Sequence, residues 1–82
     1  MPFEIDISAE VADDLQRMQP WARRSLDAAL LVAAADPSRL PALPQESVAA
    51  RIVSFGDGRG LCLVEVDEDG KRLILRLIQT PR

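Results

Sequence analysis

Polar and apolar positions in this chain follow two alternating periods. Phe3, Ile5 and Ile7 alternate with Glu4 and Asp6, which is the two-residue period of a half-buried strand. The period then lengthens. Val11, Leu15 and Met18 recur at spacings of four and three with Ala12 beside them, while Asp13, Asp14, Gln16 and Arg17 point away. That spacing predicts an amphipathic helix over roughly residues 9–18. Ser8 stands at its N-cap position, and Glu10 places a negative charge in the first turn, where the helix dipole favours it. Pro20 breaks the pattern and suits the first turn of a second helix, where its missing N–H costs nothing. Ala22, Leu26, Ala29, Leu30 and Ala33 make the second stripe, Trp21 extends it at the helix start, and Arg23, Arg24 and Asp27 lie on the other side. Asp36-Pro37 ends the helix. With almost no loop between them, the two helices are expected to form an antiparallel hairpin. The alanines at 28, 29 and 33 to 35 favour helix and permit close approach to a neighbour.

After the helices, residues 38–47 (SRLPALPQES) form an irregular link. Pro41 and Pro44 oppose both helix and central strand, and Leu40 and Leu43 are expected to tuck against the core. Three strand patterns follow, at residues 48–55, 59–66 and 71–78. Gly56-Asp57-Gly58 separates the first two, and Asp67-Glu68-Asp69-Gly70 the last two. In the second turn, Gly70 is the residue expected to take positive φ. Cys62, Val64 and Val66 share one side of their strand. In the last strand Leu73, Leu75 and Leu77 share one side, with Arg72, Ile74, Arg76 and Ile78 on the other. This final hairpin is the strongest local signal in the chain. The order is strand, helix, helix, three-strand meander. Sequential strands joined by short turns pair as antiparallel neighbours. The expected fold class is α+β: two layers, order β-α-α-β-β-β, with the helical hairpin packed on an antiparallel sheet. Residues 1–82 are expected to form one domain.

Composition narrows the chemistry. The net charge is −3, from 13 acidic and 10 basic residues. This balance does not advertise a protein built mainly to hold nucleic acid. There is no His and no Tyr, so the usual general base near neutral pH is missing. The serines therefore have no histidine to activate them, and one Cys without His makes no ordinary structural zinc site. Cys62 lies on the apolar side of its strand and reads as a small core hydrophobe rather than a nucleophile. Asp67, Glu68 and Asp69 lack calcium-loop spacing and read as a solvated turn. Gly56-Asp57-Gly58-Arg59-Gly60 lacks the Lys-Ser/Thr pair of a phosphate loop and precedes a strand, so it also reads as a turn. No cofactor, metal or catalytic residue is assigned. The N-terminus has no basic and apolar leader pattern, and no apolar run is long enough to span a bilayer. The expectation is a cytoplasmic protein.

Arg51, Arg59, Arg72 and Arg76 all fall in or beside the predicted sheet. If they meet on one area, they form a surface able to hold phosphate through guanidinium forks. The alternative is that they balance Glu4, Asp6 and Glu65 by cross-strand pairing.

The order of elements and three stretches resemble the RelE/ParE toxin superfamily of bacterial toxin–antitoxin systems. FEIDISAEVADDLQRM resembles that family's first strand and helix. LLVAAADPSRLPAL is similar to the end of its second helix and the following leucine. FGDGR followed by LCLVEVDEDGKRLILRLI resembles its Gly-Asp-Tyr-Arg turn, strand, acidic turn and closing strand. The likeness covers nearly the whole chain. It implies a partner antitoxin. It also implies one of two activities: messenger-RNA cleavage on the ribosome, using basic residues on the sheet and a C-terminal Arg or Tyr/His, or inhibition of DNA gyrase. Arg59 matches the arginine of the family's turn. Gly58 stands where the family has tyrosine, Ile52 and Ser54 stand where it has basic residues, and Gln79, Thr80, Pro81 and Arg82 match its tail without the aromatic.

Cleavage of RNA without a metal needs a base near the 2′-hydroxyl and positive charge around the phosphate. Two readings stay open beside a purely architectural likeness. In the first, the chain is a divergent RelE/ParE-like protein that acts by protein–protein interaction without ribonuclease activity, through an antitoxin-like peptide or self-association. Trp21, Ile74 and Ile78 are then the candidate contact residues. In the second, it is an active type II toxin, ribosome-dependent endoribonuclease or gyrase inhibitor, neutralised by its antitoxin, with Arg59 retained.

Overall fold

The computed structural model describes residues 2–42 and 49–80. In chain order the elements are strand β1 (Glu4–Ile7), helix α1 (Ala9–Arg17), helix α2 (Pro20–Ala35), a 3-10 turn (Pro37–Arg39), and strands β2 (Ala50–Phe55), β3 (Gly60–Asp67) and β4 (Arg72–Gln79). The expected order is therefore present. Val48 and Leu43, placed by the sequence in the 48–55 strand pattern and against the core, lie outside the described residues.

The sheet runs β1-β4-β3-β2. The meander is antiparallel throughout, and β1 joins β4 in parallel, with Ile5 opposite Leu73 and Ile7 opposite Leu75. This ordering puts β1 and β2 at opposite edges. The connection between them must cross the full width of the sheet, which lays both helices over one face. Accordingly α1 rests mainly on β4, and α2 on β2 and β1. Bonds at the joins fix this crossing: the Phe3 N–H donates to the Ala34 carbonyl at 2.8 Å, and the Ser8 N–H to that of Leu75 at 3.2 Å.

The core lies between the layers. Val11 and Leu15 come from α1, Leu26, Leu30, Ala33 and Ala34 from α2, and Val53, Phe55, Cys62, Val64, Leu73 and Leu75 from the sheet. Leu26, Val64, Leu73 and Leu75 are wholly buried. Each such aliphatic side chain contributes about 1.5–3 kcal/mol by leaving water.

Three local features differ from the expectations. The first concerns β4. Val64 pairs with Leu75, but the preceding Leu63 pairs with Leu77, so Arg76 is an extra residue in the ladder. This bulge reverses the inward–outward phase of β4. Ile78, not Leu77, therefore turns to the core, and Leu77 is 59% exposed on the far face. The expected grouping of Leu77 with Leu73 and Leu75, and of Ile78 with Ile74, is corrected accordingly. Secondly, positive φ in the β3–β4 turn belongs to Lys71 (φ 54), not to Gly70. Gly70 is small for another reason. Its N–H donates to Asp67 Oδ1 at 3.1 Å, and a Cβ there would meet that carboxylate. Thirdly, Ser8 occupies the N-cap of α1, yet its hydroxyl makes no capping bond and is buried without a partner among the described residues.

The β2–β3 turn is held from two sides. Gly56, Asp57 and Gly58 all have positive φ, and the Gly56 N–H donates to Ser25 Oγ of α2 at 2.7 Å. Phe55 pairs with Gly60, and its ring lies over the glycine. A Cβ at residue 60 would fall 2.5–2.8 Å from three ring carbons. Gly60→Ala is therefore expected to lower unfolding free energy by about 1–3 kcal/mol, read from urea denaturation with the far-UV spectrum unchanged. A loss below about 0.5 kcal/mol would mean that the ring is free to swing aside.

Candidate functional site

The two faces of the sheet differ in chemistry. The inner face carries Val53, Phe55, Cys62, Val64, Leu73 and Leu75 beneath the helices. On the opposite face no helix lies among the described residues. There Ile52 pairs with Leu63, and Leu63 with Leu77, so three apolar side chains form a row across β2, β3 and β4. Leu61, 38% exposed, extends the row along β3. A shallow cleft of about 340 Å³ opens around Ile52, Leu61, Leu63 and Leu77.

Towards the other end of β4 the same face becomes charged. Arg72 Nη1 lies 3.2 Å from Asp6 Oδ2, and its Nη2 lies 3.1 Å from Asp67 Oδ2. Arg76 sits between Glu65 and Glu10: its Nε is 3.3 Å from Glu65 Oε1 and its Nη1 is 4.0 Å from Glu10 Oε1. The Nε contact is a charge contact poorly aligned for hydrogen bonding; the hydrogen bond runs from Nη2 to Glu65 Oε2 at 3.4 Å. These pairs are half-exposed, so each adds only a few tenths of a kcal/mol to about 1 kcal/mol. Their larger consequence is electrostatic, because each guanidinium faces a carboxylate.

The four sheet arginines are thus not gathered on one area. Arg51 alternates with Val53 and Phe55 on the helix side of edge strand β2, where its Nη1 donates to the Ala50 carbonyl at 2.8 Å. Arg59 lies in the β2–β3 turn. Arg72 meets Asp67 at the far end of the eight-residue β3. The Arg59 guanidinium is exposed and has no hydrogen bond or ion pair among the described residues; only its backbone N–H is engaged, to Gly56. Of the expected contact residues, Ile74 lies half-buried on the open face, Ile78 packs against the core, and Trp21 is 46% exposed at the start of α2. The row Ile52–Leu63–Leu77 was not singled out in the sequence. Its signal was the unbroken apolar run Leu61-Cys62-Leu63-Val64, which leaves both faces of β3 apolar.

Two ionisable groups depart from their ordinary values. Burial pushes the Cys62 thiol up to about 12, against a smaller lowering from the Val53 backbone. A thiol so placed is no nucleophile at neutral pH. The Asp67 carboxyl is held below its usual range, first by the Gly70 N–H and then by the Arg72 guanidinium. Among the described residues, no cluster of three or more His, Cys, Asp or Glu side chains could hold a metal ion. No helix among them is long and apolar enough to cross a membrane.

Comparison with known proteins places this architecture. No family model and no curated protein matches the sequence. Solved structures do match the fold. A chain of the RelBE2 toxin–antitoxin complex from Mycobacterium tuberculosis superposes with a TM-score of 0.82 at 13% identity, over 98% of this chain and 92% of that one. The isolated RelE toxin of E. coli superposes with a TM-score of 0.83 at 10% identity, over 98% of this chain and 85% of that one. The fold is that of RelE-type toxins, as the sequence resemblance implied.

The Cys62 environment gives a signed pH dependence. Below pH 9.0, the ordinary thiol value, the group is protonated in folded and unfolded chains alike and contributes no slope. From there to about 12 only the unfolded chain ionises, so stability falls as pH rises. The expected slope is about −1.4 kcal/mol per pH unit, measured as the difference between the wild-type chain and Cys62→Ala in urea titrations at pH 8, 9 and 10. Iodoacetamide at pH 8 should label Cys62 only when denaturant is present.

Proposed function

We propose that this RelE-fold chain acts by holding a protein partner on the open face of its sheet, without cutting RNA. The observation that carries this reading is the in-register row Ile52–Leu63–Leu77 with Leu61, in which Leu61 and Leu77 are exposed and Ile52 and Leu63 partly buried, bordered by arginines that already face carboxylates. An apolar row beside neutralised charge suits a protein segment with apolar side chains. A surface for RNA needs uncompensated positive charge along the phosphates, and general-base chemistry at the 2′-hydroxyl needs a group poised near neutrality. The row has neither, and the whole chain has no His or Tyr to supply the base. The partner suggested by the fold is antitoxin-like, since the RelBE2 chain was solved in a toxin–antitoxin complex.

A second reading rests on Arg59, whose guanidinium is exposed and without a partner among the described residues. In that reading the chain is an active toxin, either a ribosome-dependent endoribonuclease or a gyrase inhibitor, and Arg59 meets phosphate or the target protein.

Induced expression in bacterial cells separates the two, with Arg59→Ala beside the wild-type chain. The proposed function expects growth to continue while folded protein accumulates. It also expects a labelled RNA oligonucleotide to bind weakly and with little change between 50 and about 200 mM salt. Growth arrest by the wild-type chain, relieved by Arg59→Ala at equal levels of folded protein, would establish the second reading in its place.

A further inference from the structure

The solvent side of α2 is almost as apolar as its buried side. Ala22, Leu26, Leu30, Ala33 and Ala34 face the core. The outward residues at positions 21, 24, 28, 31 and 35 are Trp, Arg, Ala, Leu and Ala, all outside the core. Their spacing of three, four, three and four is the heptad seam of two packed helices. Val32 lies beside this seam. Leu31 is 67% exposed and Val32 75%, the two most exposed large apolar residues described.

On either side of this ridge the surface falls into an apolar furrow. One, of about 220 Å³, lies between α2 and β1 and is lined by Ile5, Ile7, Leu30 and Leu31, with Asp27 at its side. The other, of about 660 Å³, lies between α2 and β2; Ala29, Val32, Leu40 and Ile52 line it, with Asp36 and Arg39 among its lining residues. A protruding apolar ridge next to apolar furrows can receive a copy of itself, which a two-fold interface requires.

Charge and size then set the direction. Arg24 has no hydrogen bond or ion pair among the described residues, and it is the one charged residue of the seam. The last turn of α2 contains no basic residue, and among the described residues only its Ala34 carbonyl accepts a bond from outside the helix, from the Phe3 N–H, so this end of the helix keeps a negative potential. The Asp36 carboxylate beyond it is held by Ser38 at 2.5 Å and Arg39 at 3.2 Å. Helical side chains lean toward their own N-terminus. In an antiparallel pair, Arg24 therefore leans toward the partner's α2 C-terminus, and the large Trp21 falls opposite the small Ala35. In a parallel pair Arg24 would meet Arg24.

The geometry points to a homodimer of this chain, formed by antiparallel packing of α2 against α2 with the two-fold axis near Ala28. This inference needs no partner on the sheet face; Ile52, on edge strand β2, is among the described residues the one shared by the larger furrow and the apolar row. The seam of a 16-residue helix is about 24 Å long. It lies at the small end of specific interfaces, so dissociation in the micromolar range is expected.

Sedimentation velocity on the full chain from about 1 to 200 µM, spanning that range, tests the assembly. The wild-type chain should pass from one-chain to two-chain mass. Leu31→Glu and Val32→Glu replace exposed side chains and should leave the far-UV spectrum unchanged while weakening association at least tenfold. Mild oxidation tests the direction, since Cys62 is buried. Ala28→Cys should form a disulfide-linked dimer. Arg24→Cys should not, because its two copies would lie about 12 Å apart along the antiparallel axis. A wild-type chain that remains monomeric at the highest concentration, a dimer indifferent to both glutamates, or cross-linking at 24 as readily as at 28 would each overturn the inference.

Discussion

Strand β4 has two neighbours, and the rest of the structure depends on it. It pairs in parallel with the first strand of the chain and antiparallel with β3. Its inner residues Leu73 and Leu75 are wholly buried beneath the helical layer. Because β4 takes β1 on its free side, the N-terminal strand sits at the opposite edge from β2. The helices must then bridge the sheet rather than stack beside it. On one edge β1 covers only Arg72 to Leu75, whereas on the other β3 pairs with β4 from Arg72 to Gln79. The bulge at Arg76 lets that longer ladder continue to Gln79 while turning Ile78 inward and Leu77 outward.

That one-residue change of phase links fold and surface. Without it, Leu77 would complete the inner stripe and Ile78 would face outward. With it, Leu77 joins Ile52 and Leu63 to make the open apolar row. Arg76, the extra residue, reaches Glu65 on β3 and Glu10 at the start of α1. The same displacement thus creates the exposed apolar surface and neutralises a cation next to it. A face built this way differs in kind from a phosphate-binding surface, where the cations must remain available to the ligand.

Much of the architecture was legible because period and punctuation agree. Strand β1, both helices and the final hairpin each show a clean repeat, and Pro20, Asp36-Pro37 and the two glycine turns mark the breaks. What escaped was set by contacts across the chain. The bulge cannot be read from Leu73 to Ile78, since the alternation there is regular and only the register with β3 shows the extra residue. Positive φ falls at Lys71 rather than Gly70, whose Cβ position is filled by the Asp67 carboxylate. The four arginines look equivalent along the sequence, yet Arg72 and Arg76 meet carboxylates from other elements while Arg59 meets none among the described residues. Ion-pair partners 11 and 66 residues away lie beyond any local pattern.

Helix α2 shows the same principle from the opposite side. Its alanine-rich sequence fits tight packing, and the buried stripe accounts for Ala22, Ala33 and Ala34. It does not account for Ala28 and Ala35, which are exposed, nor for Leu31 and Val32. A helix that lies on one sheet needs one apolar face. This one has two, and the second carries a seven-residue spacing with a single cation near the end where an antiparallel neighbour would present its C-terminus. A helix with only one apolar face would leave less apolar surface in water. The outward heptad is therefore a feature that packing within one chain does not explain and that packing between two chains does.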